Sequence, residues 1–474
     1  MDTETRYRAL CARDRRFDGI FFVGVTTTGV YCRPICPART PRSDRCVFFE
    51  RAAEAERAGF RACFRCRPEV APGSAQVDRI SRLVATALDR IERGALNGAS
   101  VEALASGLGI TGRHLRRAME AELGVSPVEL AQTRRLALAK QLLQDTSLPI
   151  TEVAFAAGFE SLRRFQALFR TRFGASPSGV RRGPPLREPV LRLRLDYRPP
   201  YAWERTLAFL EARTMVGVER IADGAYHRAV RVGAVEGTVV VRPHGRLPHL
   251  LCDVSASLAP RLAEVSARLR ALFDLDAEPE RIAAHLRKDL RLRRAVDRDP
   301  GLRVPGAFDP FELGVRAILG QQVTVRAATT VGGRFAEAFG RPLGVPSPLG
   351  VSRVFPTPAE VAALDVGQIA SLGMPGARAR TILALAEALV EEPDLLLPGA
   401  DPGRTIAALV KLPGVGPWTA HYIAMRALRF PDAFPAADLG VHRALDVTTA
   451  RAAEAASKPW EPWRAYAVMH LWQR

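Results

Sequence analysis

Two close pairs of cysteines near the start of the sequence, Cys32/Cys36 and Cys63/Cys66, constrain the fold more than any other feature. Four thiolates with this spacing can close a tetrahedron around a Zn²⁺ ion, which predicts a small metal-stabilised domain. From the spacing alone, a purely structural ion is favoured over a reactive one. Because metal-binding cysteines are common in the reducing cytoplasm and disulfides are rare there, we expect a cytoplasmic protein.

The composition narrows the class of partner. The chain has 474 residues and a formal net charge of +18, of which the first 187 residues carry +12. Such basicity favours a polyanionic partner, most simply nucleic acid. The alternative is that the charge only reflects a general bias of composition, because nearly all the basic residues are arginine. The sequence lacks the roughly 18 consecutive apolar residues that span a bilayer, and it begins with acidic and polar residues. We therefore expect neither a membrane partner nor a secretory signal.

A helical segment in the first half contains an internal repeat at an offset of 50 residues. Each copy predicts a helix, a glycine-containing turn and a second helix that begins at a Thr or Ser N-cap. The matched pairs are Glu102/Glu152, Thr111/Ser161, Arg113/Arg163, Gly124/Gly174, Ser126/Ser176 and Pro127/Pro177. Together with the closing stretch Phe173–Pro177, the repeat resembles the AraC-type tandem helix-turn-helix domain.

Polar side chains on the second helix of each copy are placed to reach base edges and phosphates in a major groove of double-stranded DNA. The alternative is a pair of amphipathic hairpins with solvated arginine faces. The candidate DNA-binding residues of these helices are Arg113, His114, Arg116, Arg117, Arg163, Arg164 and Gln166.

The residues around the cysteines carry a more specific signal. The stretches Phe21–Cys36 and Ala58–Cys66 closely resemble the Ada-type methyl-acceptor domain. The resemblance implies that Cys32 takes a methyl group from a methyl phosphotriester in DNA, and that Thr28 and Arg39 lie near the DNA backbone. It also implies one zinc ion, structural and thiolate-activating, without an organic cofactor. The implied metal ligands are Cys32, Cys36, Cys63 and Cys66.

Three further cysteines are left outside the metal site. Cys46 is an extra thiol, and Cys11 and Cys252 are explained as small core residues or idle thiols. The separate alkylguanine-accepting domain of the Ada family needs a Pro-Cys-His-Arg signature, which the sequence does not contain. Direct repair of O6-alkylguanine is therefore not predicted.

The C-terminal half contains a glycine-rich turn between two predicted helices, at Leu412–Ala420. Gly414 and Gly416 let backbone N–H groups approach a phosphate, and the N-terminus of the next helix adds a favourable dipole. The stretch resembles the helix-hairpin-helix motif, which in many proteins only binds DNA. Asp438 follows about 20 residues later and would by itself be explained as the N-cap of a helix at 439–445. Hairpin and aspartate together resemble the base-excision glycosylase superfamily.

The resemblance extends to the AlkA-type family of 3-methyladenine DNA glycosylase II over about residues 190–474. The supporting stretches are Tyr197–Trp203, Arg316–Val323 and Pro459–Trp472. The resemblance implies that Asp438 is the catalytic carboxylate. The aromatic residues that it places around a base pocket are Trp418, Tyr422 and Trp472, although such residues more often belong to a core.

Two departures from that family pattern bear on the chemistry. Members that also cleave the strand carry a lysine nucleophile where this chain has Trp418, so a monofunctional enzyme that uses water is implied. The aliphatic wedge that fills the gap left by a flipped base falls near Gln322, which is polar. An aromatic pocket suits alkylated purines that carry a positive charge, because stacking and cation–π attraction hold the cation.

Stretches rich in Pro and Gly at residues 67–74, 181–185 and 299–306 divide the chain. The predicted fold class is multidomain α+β. The predicted domains are a small zinc-binding α/β domain (1–75), an all-α tandem helix-turn-helix domain (76–186), a mixed α+β domain with an antiparallel sheet (187–300) and an all-α helix-hairpin-helix glycosylase domain (301–474).

The sequence predicts a DNA alkylation repair and response protein. In this hypothesis the zinc and helix-turn-helix domains sense methyl phosphotriesters and bind promoter DNA, with RNA polymerase as a further partner during activation. The C-terminal half hydrolyses the N-glycosidic bond of alkylated purines. The alternative is a transcriptional regulator of the alkylation response whose C-terminal half binds DNA without excising bases.

Overall fold

The computed structural model describes residues 1–73, 81–181, 190–344 and 348–473. The chain forms two compact units, Met1–Pro199 with Pro243–Ala267, and Pro200–Arg242 with Arg268–Arg474. The predicted domain boundaries at 75/76 and 186/187 lie outside the described residues, and the four domain ranges stay predictions. Every helix within the described ranges is too short or too polar to cross a membrane.

The N-terminal region combines a small sheet with two helices, as the sequence predicts. Its elements are α1 (Thr3–Cys11), β1 (Phe22–Val25), β2 (Val30–Cys32), β3 (Cys46–Phe49), α2 (Ala52–Arg57) and β4 (Arg61–Ala62). The strand order is β3-β1-β2-β4, with β1 antiparallel to both of its neighbours and β2 parallel to β4. Val30 pairs with Arg61 and Tyr31 with Ala62. Cys32, the last residue of β2, and Cys63, which directly follows β4, therefore lie at the same end of neighbouring strands.

The following region is helical throughout its described residues. Its elements are α3 (Arg82–Glu92), α4 (Val101–Ser106), α5 (Gly112–Leu123), α6 (Pro127–Asp145), α7 (Ile150–Ala156), α8 (Leu162–Phe173) and α9 (Pro177–Val180). Thr111 caps α5 and Ser161 caps α8, each through its side-chain oxygen. Gly124 and Gly174 end the same helices in the left-handed conformation. The two copies of the repeat thus fold alike, as predicted.

Residues 190–300 mix strands and helices. The elements are β5 (Val190–Asp196), α10 (Trp203–Glu211), β6 (Glu219–Ala222), β7 (Ala225–Val232), β8 (Val235–Pro243), β9 (His249–Ser255), α11 (Leu262–Leu272), α12 (Pro279–Leu286) and α13 (Leu290–Arg298). β5 and β9 form an antiparallel pair in the first unit, and β6, β7 and β8 form an antiparallel meander in the second. The predicted antiparallel α+β character is confirmed.

Within its described residues, the C-terminal region is helical except for one pair of two-residue strands. Its elements are α14 (Pro310–Leu319), α15 (Val325–Phe339), β10 (Arg341–Pro342), β11 (Arg353–Val354), α16 (Pro358–Ala362), α17 (Val366–Ala370), α18 (Gly376–Glu391), α19 (Pro402–Val410), α20 (Pro417–Arg426), α21 (Leu439–Leu445), α22 (Ala450–Ser457) and α23 (Arg464–Leu471). The apolar faces of α14, α18 and α20 build its core, in which Ile318, Leu385 and Ile423 are fully buried. This core is the platform for the hairpin α19–α20.

A buried charge cluster ties the β6–β7 hairpin to α14. The Arg316 guanidinium lies 2.6 Å from the Glu219 carboxylate and 3.0 Å from that of Glu312. Arg228 pairs with both of the same glutamates, and Tyr226 donates a hydrogen bond to Glu219. Buried ions are tolerated only when they are paired in this way. The cluster therefore fixes α14 against the meander of the second unit.

The turn between α19 and α20 requires glycine at one of its two glycine positions. Gly414 has a φ of +80°, and a Cβ atom there would lie 2.2 Å from Thr381 Oγ1. Gly416, the N-cap of α20, has a φ of −88°, and a Cβ atom there would meet nothing within 4 Å. Gly414 is therefore needed by the fold, whereas Gly416 leaves the backbone of the turn open to an approaching group.

Replacing Gly414 with alanine should lower the free energy of unfolding by about 2 kcal/mol or more, because left-handed strain and the clash with Thr381 add together. The matched change Gly416→Ala should cost about 1 kcal/mol at most. Urea unfolding followed by tryptophan fluorescence measures both, since all five tryptophans lie between residues 203 and 472. Equal losses in the two variants would contradict this account of the turn.

Candidate functional site

The four paired cysteines meet in one cluster. Their sulfur atoms all lie within 4.8 Å of one another. The parallel pairing of β2 with β4 explains the meeting, because Cys32 ends β2 and Cys63 follows β4. Cys36 and Cys66 come from the turns that follow. Cys32 is half-exposed, whereas the other three cysteines are buried.

The donor set fits a zinc ion. Thiolates at the usual zinc–sulfur distance would place their sulfurs about 3.8 Å apart in a tetrahedron, within the observed spread. The backbone N–H of Arg33 donates to Cys66 Sγ at 3.3 Å, and that of Arg65 donates to Cys63 Sγ at 3.4 Å, so two of the sulfurs are already oriented. The arrangement supports the predicted zinc site.

Arg33 anchors one side of the metal loop. Its guanidinium is buried, pairs with Asp18, and lies 2.8 Å from the Asp196 carboxylate in β5. It also donates to the backbone carbonyl of Cys66 at 3.1 Å. Burial lowers the pKa of Arg33, but the two carboxylates outweigh burial and raise it, so the side chain is a permanent cation. The carbonyl of a metal-binding cysteine is thus held by a fixed positive charge.

Lys140 of α6 anchors the other side. Its ammonium donates to the backbone carbonyl of Cys63 at 3.0 Å and to the Glu69 carboxylate at 2.8 Å. The same group lies 4.8 Å from the ring centroid of Phe64 and 5.6 Å from that of Phe173. Lys140 is completely buried. The loop that carries the second cysteine pair is therefore held directly by the helix that joins the two hairpins.

The remaining cysteines and two further sequence candidates lie outside the cluster. The Cys46 thiol lies 3.3 Å from a backbone carbonyl of its own loop, Cys11 is exposed, and Cys252 is buried in β9. Thr28 is exposed in the turn between β1 and β2, and Arg39 is exposed in the loop after Cys36. Both candidates are accessible from solvent.

The basic helices α5 and α8 expose most of the residues singled out from the repeat. Arg113, His114 and Arg117 are exposed on α5. Arg163 and Arg164 are exposed on α8, where Gln166 is half-buried. The half-buried Arg116 lies 2.6 Å from the Glu102 carboxylate of α4. The pair braces the first hairpin, so Arg116 has a structural partner that the sequence pattern did not indicate.

The aromatic and acidic candidates of the C-terminal half line one cavity of about 670 Å³. Asp438 caps α21, with its Oδ1 accepting the backbone N–H of Val441 at 2.9 Å. The indole N–H of Trp418 donates to Asp438 Oδ2 at 2.9 Å, and that of Trp472 donates to Oδ1 at 2.9 Å. Asp438 is thus an N-cap and a pocket residue at once, and the two interpretations of the sequence do not compete.

The three aromatic rings of the cavity and one neighbouring ring pack one against the next. Trp418 and Tyr422 are nearly parallel, with centroids 5.4 Å apart and an interplanar angle of 16°. Tyr422 and Trp472 are tilted by 43° at 6.2 Å, and Trp472 stacks on Phe209 of α10 at 6.3 Å and 12°. The structure therefore brings all three predicted aromatic residues together and adds Phe209, which sequence motifs did not indicate.

Two arginines of the cavity were also missed by the sequence analysis. The Arg213 guanidinium lies 3.8 Å from the ring centroid of Phe209, and that of Arg426 lies 5.0 Å from it. Arg426 is buried and donates to the Tyr422 hydroxyl at 2.8 Å. A periodicity of four residues along α20 places Tyr422 and Arg426 on one face, which could have indicated Arg426. Nothing local in the sequence indicates Arg213.

The loop before α15 is braced against the hairpin turn. Gln321 donates to the backbone carbonyl of Gly414 and to Thr419 Oγ1, both at 2.9 Å. The next residue, Gln322, is exposed and has a φ of +55°. Val323 follows, is 40% exposed, and lines the cavity. Gln321 thus positions the loop on which the wedge candidate Gln322 stands.

Family models match four parts of the chain. They are the metal binding domain of Ada over residues 5–69, a helix-turn-helix domain over 104–183, the AlkA N-terminal domain over 192–309, and the HhH-GPD superfamily of base excision DNA repair proteins over 315–460. These matches confirm the resemblances seen in the sequence, and they support DNA as a partner.

Curated relatives match either nearly the whole chain or a large part of it. The "Probable bifunctional transcriptional activator/DNA repair enzyme AlkA" of Mycobacterium tuberculosis is 41% identical over 482 residues, 99% of this chain and 96% of the relative. DNA-3-methyladenine glycosylase 2 of Escherichia coli is 37% identical over 280 residues, 59% of this chain and 95% of the relative. The solved 3-methyladenine DNA-glycosylase from Archaeoglobus fulgidus shares the fold, with a TM-score of 0.51 and 20% identity over 59% of this chain and 96% of that one. The chain belongs to the family of bifunctional transcriptional activators and DNA repair enzymes of the AlkA type.

Proposed function

We propose that this protein repairs and senses alkylated DNA with two separate chemistries. The C-terminal half is a monofunctional glycosylase for alkylated purines of the 3-methyladenine class. The N-terminal half accepts a methyl group from DNA and binds promoter DNA. The observation that carries the proposal is the Asp438 carboxylate, held by two indole N–H groups in an aromatic cavity close to a helix-hairpin-helix turn.

In the glycosylase reaction, the extruded base stacks against Trp418, Tyr422 and Trp472. N3- or N7-alkylated purines carry a positive charge, which weakens the bond to C1′. As that bond breaks, its electron pair leaves with the base, and a water oxygen forms the new bond to C1′. Asp438 stabilises the developing positive charge on the sugar and orients or deprotonates the water. Trp418 offers no amine for a covalent intermediate, which supports hydrolysis without strand cleavage.

Asp438→Asn should lower the rate of base release from methylated DNA by about a hundredfold or more, because the charge opposite the sugar is lost. Asparagine is a good N-cap, so α21 and the affinity for DNA should be retained. Asp446→Asn, an exposed change of the same type at the C-terminal end of α21, is the matched control. Single-turnover release of 3-methyladenine measures all three proteins.

Undiminished release by Asp438→Asn would contradict the catalytic assignment. Absence of release by the unmodified protein, with intact binding to methylated DNA, would favour the alternative of a regulator that binds DNA without excising bases.

Tyr422 adjusts the charge of the cavity. Burial raises the pKa of Tyr422, but the guanidinium groups of Arg426 and Arg213 outweigh burial and lower it to about 8. Near neutral pH part of the Tyr422 population is therefore a phenolate beside these arginines. A phenolate offsets their positive charge and would favour a cationic base.

Ultraviolet difference titration should reveal one tyrosine that ionises near pH 8, and Tyr422→Phe should remove that step. The pKa values of Tyr7, Tyr31, Tyr226 and Tyr466 are all raised, so none of these four should overlap the step. Because the folded-state pKa is the lower one, ionisation stabilises the fold fully above the usual value of 10.0, and this contribution is lost as the pH falls through about 8. Ionisation of every tyrosine at or above pH 10.0 would contradict the argument.

The methyl acceptor is Cys32, the one half-exposed cysteine of the cluster. Its sulfur forms a bond to the methyl carbon of a phosphotriester, the carbon–oxygen bond breaks, and the phosphodiester oxygen leaves with the electron pair. One zinc ion, when bound, would keep this thiolate deprotonated yet nucleophilic. A thioether then replaces a thiolate, the site loses one negative charge, and repulsion from DNA phosphates falls. DNA binding should tighten as a result.

Intact-mass analysis after incubation with methylated DNA should show one added methyl group per chain, mapped to Cys32 by peptide sequencing. Cys32→His keeps a zinc-binding side chain but removes the thiolate, so this variant should retain zinc and gain no methyl group. Cys46→Ala, which changes a thiol outside the cluster, should react normally. A methyl group on Cys36, Cys63 or Cys66 would contradict the assignment.

The other candidate residues are assigned to DNA. Thr28 and Arg39 would contact the backbone beside the acceptor, Gly414 and Gly416 would approach a phosphate, and Gln322 would stand at the gap left by the base. The promoter-reading residues of α5 and α8 are Arg113, His114, Arg116, Arg117, Arg163, Arg164 and Gln166. Activation would involve RNA polymerase, and the thiolate site suits the reducing cytoplasm. Neither reaction calls for an organic cofactor.

A further inference from the structure

Both oxygens of the Asp438 carboxylate accept hydrogen bonds from rings of the cavity. Trp418 Nε1 donates to Oδ2 and Trp472 Nε1 donates to Oδ1, each at 2.9 Å. The third donor, the backbone N–H of Val441, only completes the helix cap. The indoles approach from two other helices, so they fix the rotation of the carboxylate in a way that a cap alone does not.

Each of the two indoles has its ring in the aromatic stack and its N–H on the carboxylate. The Trp418 ring is nearly parallel to that of Tyr422, and the Trp472 ring is nearly parallel to that of Phe209. A base that stacks in the cavity therefore meets rings whose orientation also sets that of Asp438. Lining the cavity explains the rings, but it does not explain why both N–H groups point at the same carboxylate.

The local sequence leaves room for this arrangement at Gly440. A Cβ atom at that position would lie 3.0 Å from Asp438 Oδ1 and 3.1 Å from Trp472 Cδ1, both tighter than ordinary contacts. Gly440 lies in the first turn of the helix α21 and does not have a positive φ, so its backbone conformation does not require glycine. The absence of a side chain at Gly440 serves the pair formed by Asp438 and Trp472.

We propose that Trp418 and Trp472 are positioning residues for base release, whose indole N–H groups aim the Asp438 carboxylate at the reacting sugar. The proposal rests on the proposed glycosylase function. A carboxylate already held in place loses less conformational entropy as the transition state forms and needs no reorganisation of water around it. The two tryptophans then contribute to the rate through Asp438, in addition to any affinity that their rings provide.

The test replaces each tryptophan separately with 3-benzothienylalanine, which keeps the size and stacking of the ring and lacks the N–H donor. Loss of one hydrogen bond to a charged group should lower the single-turnover rate of 3-methyladenine release by about tenfold to a hundredfold. Affinity for DNA that carries a tetrahydrofuran abasic analogue should stay within about threefold, since ring and backbone contacts remain.

Trp460 provides a matched control outside the cavity. Its indole N–H also donates to a carboxylate, that of Asp289, at 2.8 Å. The same replacement at Trp460 removes an equivalent bond, so any general effect on folding appears there, and its release rate should change by less than about twofold. A second variant, Gly440→Ala, should crowd both the Asp438 carboxylate and the Trp472 ring that holds it, and should lower the release rate with little change in affinity.

Unchanged release rates at 418 and 472, or losses that match the Trp460 control, would overturn the proposal. Losses confined to affinity would assign the tryptophans to stacking alone and would equally overturn it. In each of these cases release by the unmodified protein leaves the glycosylase function standing. Failure of the unmodified protein to release any base would instead remove the proposed function.

Discussion

The convergence of three N–H groups on one carboxylate sets the geometry of the C-terminal cavity. Trp418 lies in α20, Asp438 begins α21 and Trp472 follows α23, so the packing of three helices determines where the charge points. The neighbouring Arg426 is occupied by the backbone carbonyls of Pro305 and Gly306 and by the Tyr422 hydroxyl. Arg426 is thereby held in place within the cavity that Asp438 also lines.

The same principle governs the N-terminal half, where buried charges are satisfied by fixed partners. Glu56 of α2 accepts hydrogen bonds from the Tyr31 hydroxyl at 3.0 Å, from Thr133 of α6 and from Arg172 of α8. The Arg67 guanidinium makes two hydrogen bonds to Asp145, at 2.7 and 2.9 Å. Charged residues of this kind are stable in a protein interior only because each has a partner. The metal-binding region and the tandem hairpins thus share one interior.

Local patterns were sufficient wherever the structure depends on neighbours in sequence. The caps at Thr111 and Ser161 and the left-handed glycines of the repeat follow from residue type and spacing, and the two cysteine pairs follow from ligand chemistry. Asp438 and Trp418 were found because they flank a recognisable hairpin. Residues that reach the same places from distant segments carry no periodic signal. Phe209 stacks on Trp472 from α10, and Arg213 lines the cavity from just after that helix, about 200 residues before Trp418.

The contact between Lys140 and the carbonyl of Cys63 accounts for one of the few lysines of the chain. The chain carries 68 basic residues, yet only four are lysines, and one of the four is this completely buried side chain. The space between a carbonyl, a carboxylate and two phenyl rings accepts a compact ammonium ion with three tetrahedral donors. A planar guanidinium with a rigid five-donor fork has a different shape and a larger reach. Almost every other basic residue of the chain is an arginine. At position 140 it is therefore the shape of the cationic group, and not its charge, that selects lysine.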